Sequence, residues 1–177
     1  MIFIPFIIFF ALLFGYFFYK HYSQKLARNL ALKKLSEKKP AWKEFLRDET
    51  KLFSQLSQQE QERLLDSILI FYSEKKWSTE LSENECLKTS YYACLPIFKR
   101  KTNYYPNIKE INSMWSFQEW LSQNEKQFEI DFGKMALKEL RGNFSYYSEL
   151  FFESPNELQT DHPAVYDKLL KFYQVEV

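Results

Sequence analysis

Histidine, cysteine and glycine are all scarce in this 177-residue chain, which holds two, two and three of them. Two cysteines cannot build a zinc site by themselves, and Cys86 and Cys94, eight residues apart on one predicted helix, sit too far apart to bridge to each other. They read as reduced, buried thiols. Scarce glycine goes together with a lack of repeats, of low-complexity tracts and of any sustained strand-like alternation, so helices dominate the expected fold. An excess of charge is missing too. With 24 basic and 23 acidic residues the net charge is +1, which leaves no field strong enough to recruit nucleic acid.

What is abundant is aromatic and apolar. From Ile2 to Tyr19 the sequence IFIPFIIFFALLFGYFFY carries no charge, and at ~1.5 Å rise per residue its length just crosses a hydrocarbon core. It is expected to be a transmembrane helix. Only Met1 precedes the run and Tyr16 to Tyr19 follow Gly15, where a cleaved leader would carry bases before it and small residues after it, so an uncleaved anchor is expected. Lys20, Lys25, Arg28, Lys33 and Lys34 flank the anchor and keep that side cytoplasmic by the positive-inside tendency, with contact to anionic lipid. Tyr19, Lys20, Tyr22 and Lys25 are the candidate membrane-interface residues, because a tyrosine ring sits against lipid while its hydroxyl stays wet. The expected location is the bacterial inner (cytoplasmic) membrane, single-pass, with the C-terminal domain in the cytoplasm.

Residues 22 to 38 place Leu26, Leu30 and Leu35 among charges, which predicts a juxtamembrane amphipathic helix ending near Lys39-Pro40. The divisions are therefore 1–20 (transmembrane anchor), 21–39 (amphipathic helix) and 40–177 (helical domain). Within the domain, Trp42, Phe45, Leu46, Leu52 and Phe53 recur near helical spacing. Capping boxes at Ser57-Gln-Gln-Glu60, Ser82-Glu-Asn-Glu85 and Ser116-Phe-Gln-Glu119 open three further helices. LKTSYYACLPIF, apolar on most faces until Pro96, is the expected central helix. Tyr104-Tyr105-Pro106 turns the chain, and Ile108 to Ile111 is the one segment that looks extended. Trp120, Phe128, Phe132 and Met135 are expected to face inward from the helix after Ser116, with Gly133 and Arg141-Gly142 as points where it bends or ends. Phe144, Tyr147 and Phe151 share a helical face, Ser154-Pro155-Asn-Glu157 starts a new helix, and Val165, Leu169, Leu170, Phe172 and Tyr173 are candidates for the buried side of the last.

Four blocks now carry a resemblance. PAWKEFLRDETKLFSQLSQQEQERLLDSILIFYSEKKW, ELSENECLKTSYYACLPIF, YYPNIKEI and FSYYSELFFESPNELQTDHPAVYDKLLKFY resemble, in that order, the Mlc titration factor A family of zinc-dependent peptidases. That family's activity rests on an H-E-x-x-H helix whose histidines bind zinc while its glutamate activates water. The motif is absent here, since the histidines are His21 beside the apolar run and His162 in the closing block. The resemblance puts the family's third zinc ligand at Gly142, a non-ligand glutamate at Glu149 and an assisting tyrosine at Met135. It implies a truncated, catalytically inactive peptidase-like protein.

The expected fold class is mainly α: a transmembrane helix followed by a compact helical domain resembling a truncated Mlc titration factor A-type peptidase. No catalytic residue, metal site or cofactor is assigned. Glu149 and Glu153, one turn apart, suit a solvated face better than catalysis, and Cys94 as a nucleophile would need His162 as its base. The aromatic cluster of Phe144, Tyr146, Tyr147, Phe151 and Phe152 reads first as core, with an aromatic surplus left for a partner surface. Tyr146, Tyr147, Glu149 and Phe152 are the candidate partner-binding residues. The expected function is a binding scaffold, regulator or accessory subunit of a membrane complex. Its expected partners are another membrane or cytoplasmic protein and the bilayer, with no nucleic acid. The alternative is a peptidase with an unrecognised or partner-completed zinc site.

Overall fold

The computed structural model describes residues 3–99, 104–132, 140 and 143–173, with the side chains at 3–5, 7, 125, 127 and 129–132 outside that description. It divides into two units, Met1–Lys38 and Lys39–Val177. The first is one helix, α1 (Phe3–Leu35), closed by a 3-10 turn at Ser36–Lys38. Its 33 residues run on without interruption, through both the expected anchor and the amphipathic helix expected after it. Pro5 lies in the first turn, where its missing N–H removes no helical bond, and the Leu, Ala, Lys and Arg residues that follow Tyr22 are all good helix formers. Leu26 and Leu30 are exposed, while Leu32 and Leu35 are half-buried. Among the described residues no helix is long and apolar enough to cross a membrane. The expected span from Ile2 to Tyr19 falls in part outside the described residues.

The second unit contains α2 (Lys39–Glu49), α3 (Lys51–Gln55), α4 (Gln58–Glu74), β1 (Lys76–Trp77), α5 (Glu83–Cys94), a 3-10 turn (Leu95–Ile97), β2 (Glu110–Ile111), α6 (Phe117–Phe132), α7 (Phe144–Glu153), α8 (Pro155–Asp161) and α9 (Pro163–Tyr173). The chain is mainly helical, as composition required. The three capping boxes form as spelled: Ser57, Ser82 and Ser116 each accept from the amide three residues on, while Glu60, Glu85 and Glu119 reach back. Each satisfies two backbone donors that a helix start leaves orphaned. The single helix expected from Ala41 to Phe53 is instead two. Thr50 is extended, and its hydroxyl donates to Leu46 O at 2.7 Å, which closes α2 before α3 begins.

Helix α5 packs on α4 at the centre of the core, with Leu87, Tyr91, Ala93 and Cys94 fully covered. Trp120, Leu121 and Phe128 bring α6 into it, and Phe151 and Phe152 bring α7. Phe132, Met135, Gly133 and Arg141-Gly142 fall outside what is described. On α9 the buried residues are Tyr166, Leu169, Phe172 and Tyr173, while Val165 and Leu170 are half-buried rather than buried.

The expected extended segment is β2, and its partner β1 was not anticipated. The strands are parallel, with Lys76 opposite Glu110 and Trp77 opposite Ile111. A pair this short cannot hold itself. Its support is Lys75, whose Nζ donates to Tyr104 O at 2.6 Å, Tyr105 O at 2.8 Å and Ile108 O at 2.9 Å and lies 5.0 Å from the Phe71 ring centroid. Those carbonyls belong to a turn in which Tyr105 adopts φ 48°, a left-handed conformation that costs a side-chain-bearing residue roughly 1 kcal/mol. The Tyr105 hydroxyl donates to Ala93 O at 2.9 Å, and its ring sits edge-on to Trp120 at 5.0 Å.

Replacing Lys75 by Met keeps the apolar stem and removes every donor. The expected outcome is a loss of about 2–3 kcal/mol, read as a lower urea midpoint at unchanged slope. A loss below roughly 0.5 kcal/mol would show that the turn does not depend on the ammonium.

Candidate functional site

Consecutive residues on a helix point about 100° apart, so Tyr91 and Tyr92 on α5 cannot share an environment. Tyr91 is fully covered and Tyr92 stands at the edge of the core. On α7 the sequence FSYYSELFFE turns Phe144, Ser148, Phe151 and Phe152 inward, with the Ser148 hydroxyl accepting from the Tyr173 hydroxyl at 2.8 Å. Glu149 and Glu153, one turn apart, lie at the rim of that buried face. Helix α3 packs against α7, and α6 packs against both α5 and α7. Lys51, at the start of α3, and Phe117 and Gln118, at the start of α6, therefore come to the same rim.

The result is a cluster of polar side chains at that rim, termed the notch below. Gln118 Nε2 donates to Glu149 Oε2, so that carboxylate already has a partner 31 residues away in sequence. Glu153 is half-buried. Burial raises its carboxyl above the ordinary range, the Glu149 charge raises it further, and Lys51 pulls it back. Burial likewise pushes the Tyr92 phenol up, against Lys88, with Glu153, Glu149 and Glu49 adding to the rise. Lys88 itself is held by Glu49 at 2.7 Å. The Tyr92 ring lies 5.9 Å from Phe117, which meets Phe152 edge-on at 5.7 Å.

Tyr91 is the least ordinary member. Burial pushes its phenol far up, the Thr50 hydroxyl opposes this, and the charge of Glu153 adds to it. Thr50 gives its own proton to Leu46 O, and the Tyr91 hydroxyl stays outside hydrogen-bonding geometry with it, a buried polar atom without a partner among the described residues.

Of the residues expected to meet a partner, Tyr146 is half exposed, and Tyr147 and Glu149 are partly exposed. Phe152, at 2 % exposure, is packed among Phe117, Phe151 and Tyr173, so the surface is closed to it. Tyr147 meets His162 edge-on at 5.2 Å, away from the notch residues in the contacts they make. Tyr19, Lys20, Tyr22 and Lys25, on α1, are all exposed. Sequence reading missed Thr50, Lys51, Tyr91, Tyr92 and Gln118. Their shared signal exists only in three dimensions, because three separate helices, α3 with its N-cap residue, α5 and α6, supply them.

Both cysteines are free and buried, and burial raises the Cys94 thiol well above its usual value and the Cys86 thiol more modestly. Neither is a poised nucleophile. Among the described residues no three His, Cys, Asp or Glu side chains gather as a metal would require.

The family model for glucose-regulated metallo-peptidase M90 matches residues 23–114. No curated protein and no solved structure matches. The match takes in α2 to α5, the Tyr104 to Ile108 turn and β2, and stops before α6 and the notch's carboxylates. Among the described residues the donors do not fit the zinc that such a family implies. His162 is exposed and packed on Tyr147, Glu149 is engaged by Gln118, and Gly142 and Met135, the positions aligned with the third ligand and the assisting tyrosine, fall outside the described residues.

Titrating the side-chain carboxyls by carbon-13 NMR tests the notch. Glu153 is expected to titrate above the ordinary glutamate range, while Glu60 and Glu62, held down by Lys99 and Lys43, titrate below it. A raised folded-state value means that Glu153 favours the fold while protonated and loses that contribution as pH rises through its midpoint. Glu153→Gln should therefore gain thermal stability relative to the parent on going from acid to neutral pH. An unshifted Glu153 midpoint would mean that the carboxyl is open to water.

Proposed function

We propose, from the premise that this chain belongs to the glucose-regulated metallo-peptidase M90 family, that it is a peptidase-like protein that binds a partner instead of cleaving one, as a scaffold, regulator or accessory subunit held at a membrane. The observation that carries this reading is the donor inventory. The whole sequence has two histidines, His21 and His162, spaced far outside any H-E-x-x-H motif. Hydrolysis of a peptide by this class of chemistry needs a metal with an open position and a base beside it, and neither Glu149 nor Glu153 has a set of co-ligands among the described residues.

The membrane part rests on the uncharged run from Ile2 to Tyr19 and on the bases that follow it. Tyr19 and Tyr22, 73 % and 70 % exposed, suit a headgroup layer, as do the exposed Lys20 and Lys25. An anchor would hold the domain's partner in a thin layer and raise its effective concentration without any new contact.

Two measurements test this. Purified full-length chain incubated with zinc and an unfolded protein substrate should give no cleavage above a heat-inactivated control, and appearance of defined fragments would return it to the active peptidases. Separately, the full chain should stay with the membrane pellet after alkaline carbonate washing, while a chain lacking residues 2–20 should be released. Equal release of both would remove the anchor.

A further inference from the structure

We infer that α1, past the part proposed to cross the membrane, leaves the bilayer as a standing stalk, so that Lys20 and Lys25 meet anionic lipid headgroups while Lys33 and Lys34 stand clear of them in water. This rests on the anchor proposed above and deepens it. The surface-lying amphipathic helix expected over residues 21–39 gives way to a spacer.

A segment can turn from crossing a membrane to lying on it only where its helix breaks or bends sharply. Sharp bends come from proline, from glycine and serine pairs, from π-bulges or from a group inserted into the hydrogen-bond ladder. Helix α1 runs unbroken from Phe3 to Leu35, and between Lys20 and Leu35 there is neither proline nor glycine. The Ser23 hydroxyl donates to Lys20 O at 3.0 Å, a bond back onto its own turn, which curves a helix without turning it aside. The direction taken inside the bilayer is therefore kept outside it.

Height along the axis then sorts the bases. At ~1.5 Å per residue, Lys20 lies ~2 Å past Tyr19, the end of the uncharged run, Lys25 ~9 Å past it, and Lys33 and Lys34 ~21 Å or more. The headgroup layer is about 5–8 Å thick on each side of the hydrocarbon, and screening at physiological salt adds a reach of about 8 Å. Tilting the helix by about 20° hardly changes these heights, and about 40° lowers them by roughly a quarter. Lys20 and Lys25 stay at headgroup level under either tilt, and Lys33 and Lys34 stay beyond the screened field. No acidic residue falls between Lys20 and Ser36, so nothing on this stretch of sequence offsets the attraction of the lower bases to anionic lipid.

The arrangement around the axis agrees. At about 100° per residue, the bases at 20, 25, 28, 33 and 34 fall on every side of the helix, which leaves no broad uncharged face to bury among acyl chains. The leucines divide as well, with exposed Leu26 and Leu30 on one side and half-buried Leu32 and Leu35 on the other.

The test uses the full-length chain in vesicles of mixed phosphatidylcholine and phosphatidylglycerol. Nitroxide labels go onto single cysteines introduced one at a time from Gln24→Cys to Lys34→Cys, the native Cys86 and Cys94 being buried. Collisions with oxygen, which concentrates in lipid, and with a water-soluble nickel chelate are then compared. The stalk predicts that no label past residue 30 is richer in oxygen than in nickel contact, and oxygen-rich positions recurring every three or four residues out to residue 34 would overturn it. In the same vesicles the preference for spin-labelled phosphatidylglycerol over phosphatidylcholine should fall about threefold or more when Lys20→Gln and Lys25→Gln are combined. Lys33→Gln with Lys34→Gln should leave that preference unchanged. Equal losses from the two pairs, or no preference in the parent, would overturn the headgroup assignment. A label at Phe10→Cys separates the two levels: nickel contact there removes the anchor and the stalk together, whereas an oxygen-rich Phe10 label with a lipid-facing stripe at 30–34 removes the stalk alone.

Discussion

The ammonium of Lys75 is the tie on which the middle of the domain depends. It closes the end of α4 onto the turn from Tyr104 to Ile108, and three donors meet three backbone carbonyls of that turn, of which Tyr105 O also accepts from Ile108 N at 3.0 Å. An ammonium buried away from such acceptors would be strongly disfavoured, and the carbonyls without it would be polar atoms in an aromatic surround. Each side therefore makes the other tolerable. The left-handed Tyr105 is then fixed from both ends, through its carbonyl by Lys75 and through its hydroxyl by Ala93 O.

From that tie the rest of the chain takes its register. The turn delivers β2 beside β1, and β2 delivers Ser116 to the start of α6, where the capping box sets the helix direction. Trp120 then meets Tyr105 and Phe71, and Phe117 and Gln118, one face away, are aimed at α7. The notch is thus a consequence of the same frame that shapes the core. Lys51 and Gln118 stand at helix starts and Glu149 and Glu153 on the rim of a buried face, whereas Tyr91 is wholly covered.

Sequence legibility followed the range of the interactions. The three capping boxes and the helix start at Pro155 were readable because cap and helix lie within four residues of each other. The core role of the 83–94 helix was readable from its apolar density. Lys75 was not, because its acceptors lie about thirty residues on and nothing local distinguishes it from a solvated lysine. For the same reason β1 stayed invisible: Lys76 and Trp77 are extended only because Glu110 and Ile111 arrive beside them. In the site, Glu149 and Glu153 were seen as a pair on one helix, but the phenol, amide and ammonium that give them an environment come from α5, α6 and α3. The aromatic cluster divided as periodicity requires, with Phe144, Phe151 and Phe152 inside and Tyr146 outside.

Family membership and site chemistry pull in different directions here, and the difference is physical. The matched stretch holds α2 to α5, the Tyr104-Tyr105-Pro106 turn and the short sheet, while the sequence has too few histidines to supply that family's H-E-x-x-H motif. Binding without hydrolysis is the central claim. Its most direct test is anomalous diffraction at the zinc edge from crystals of the full-length chain grown with zinc. The binding reading predicts no peak held by three protein side chains. A fully occupied, tetrahedral zinc ligated by Glu149 or His162 together with other side chains would contradict it.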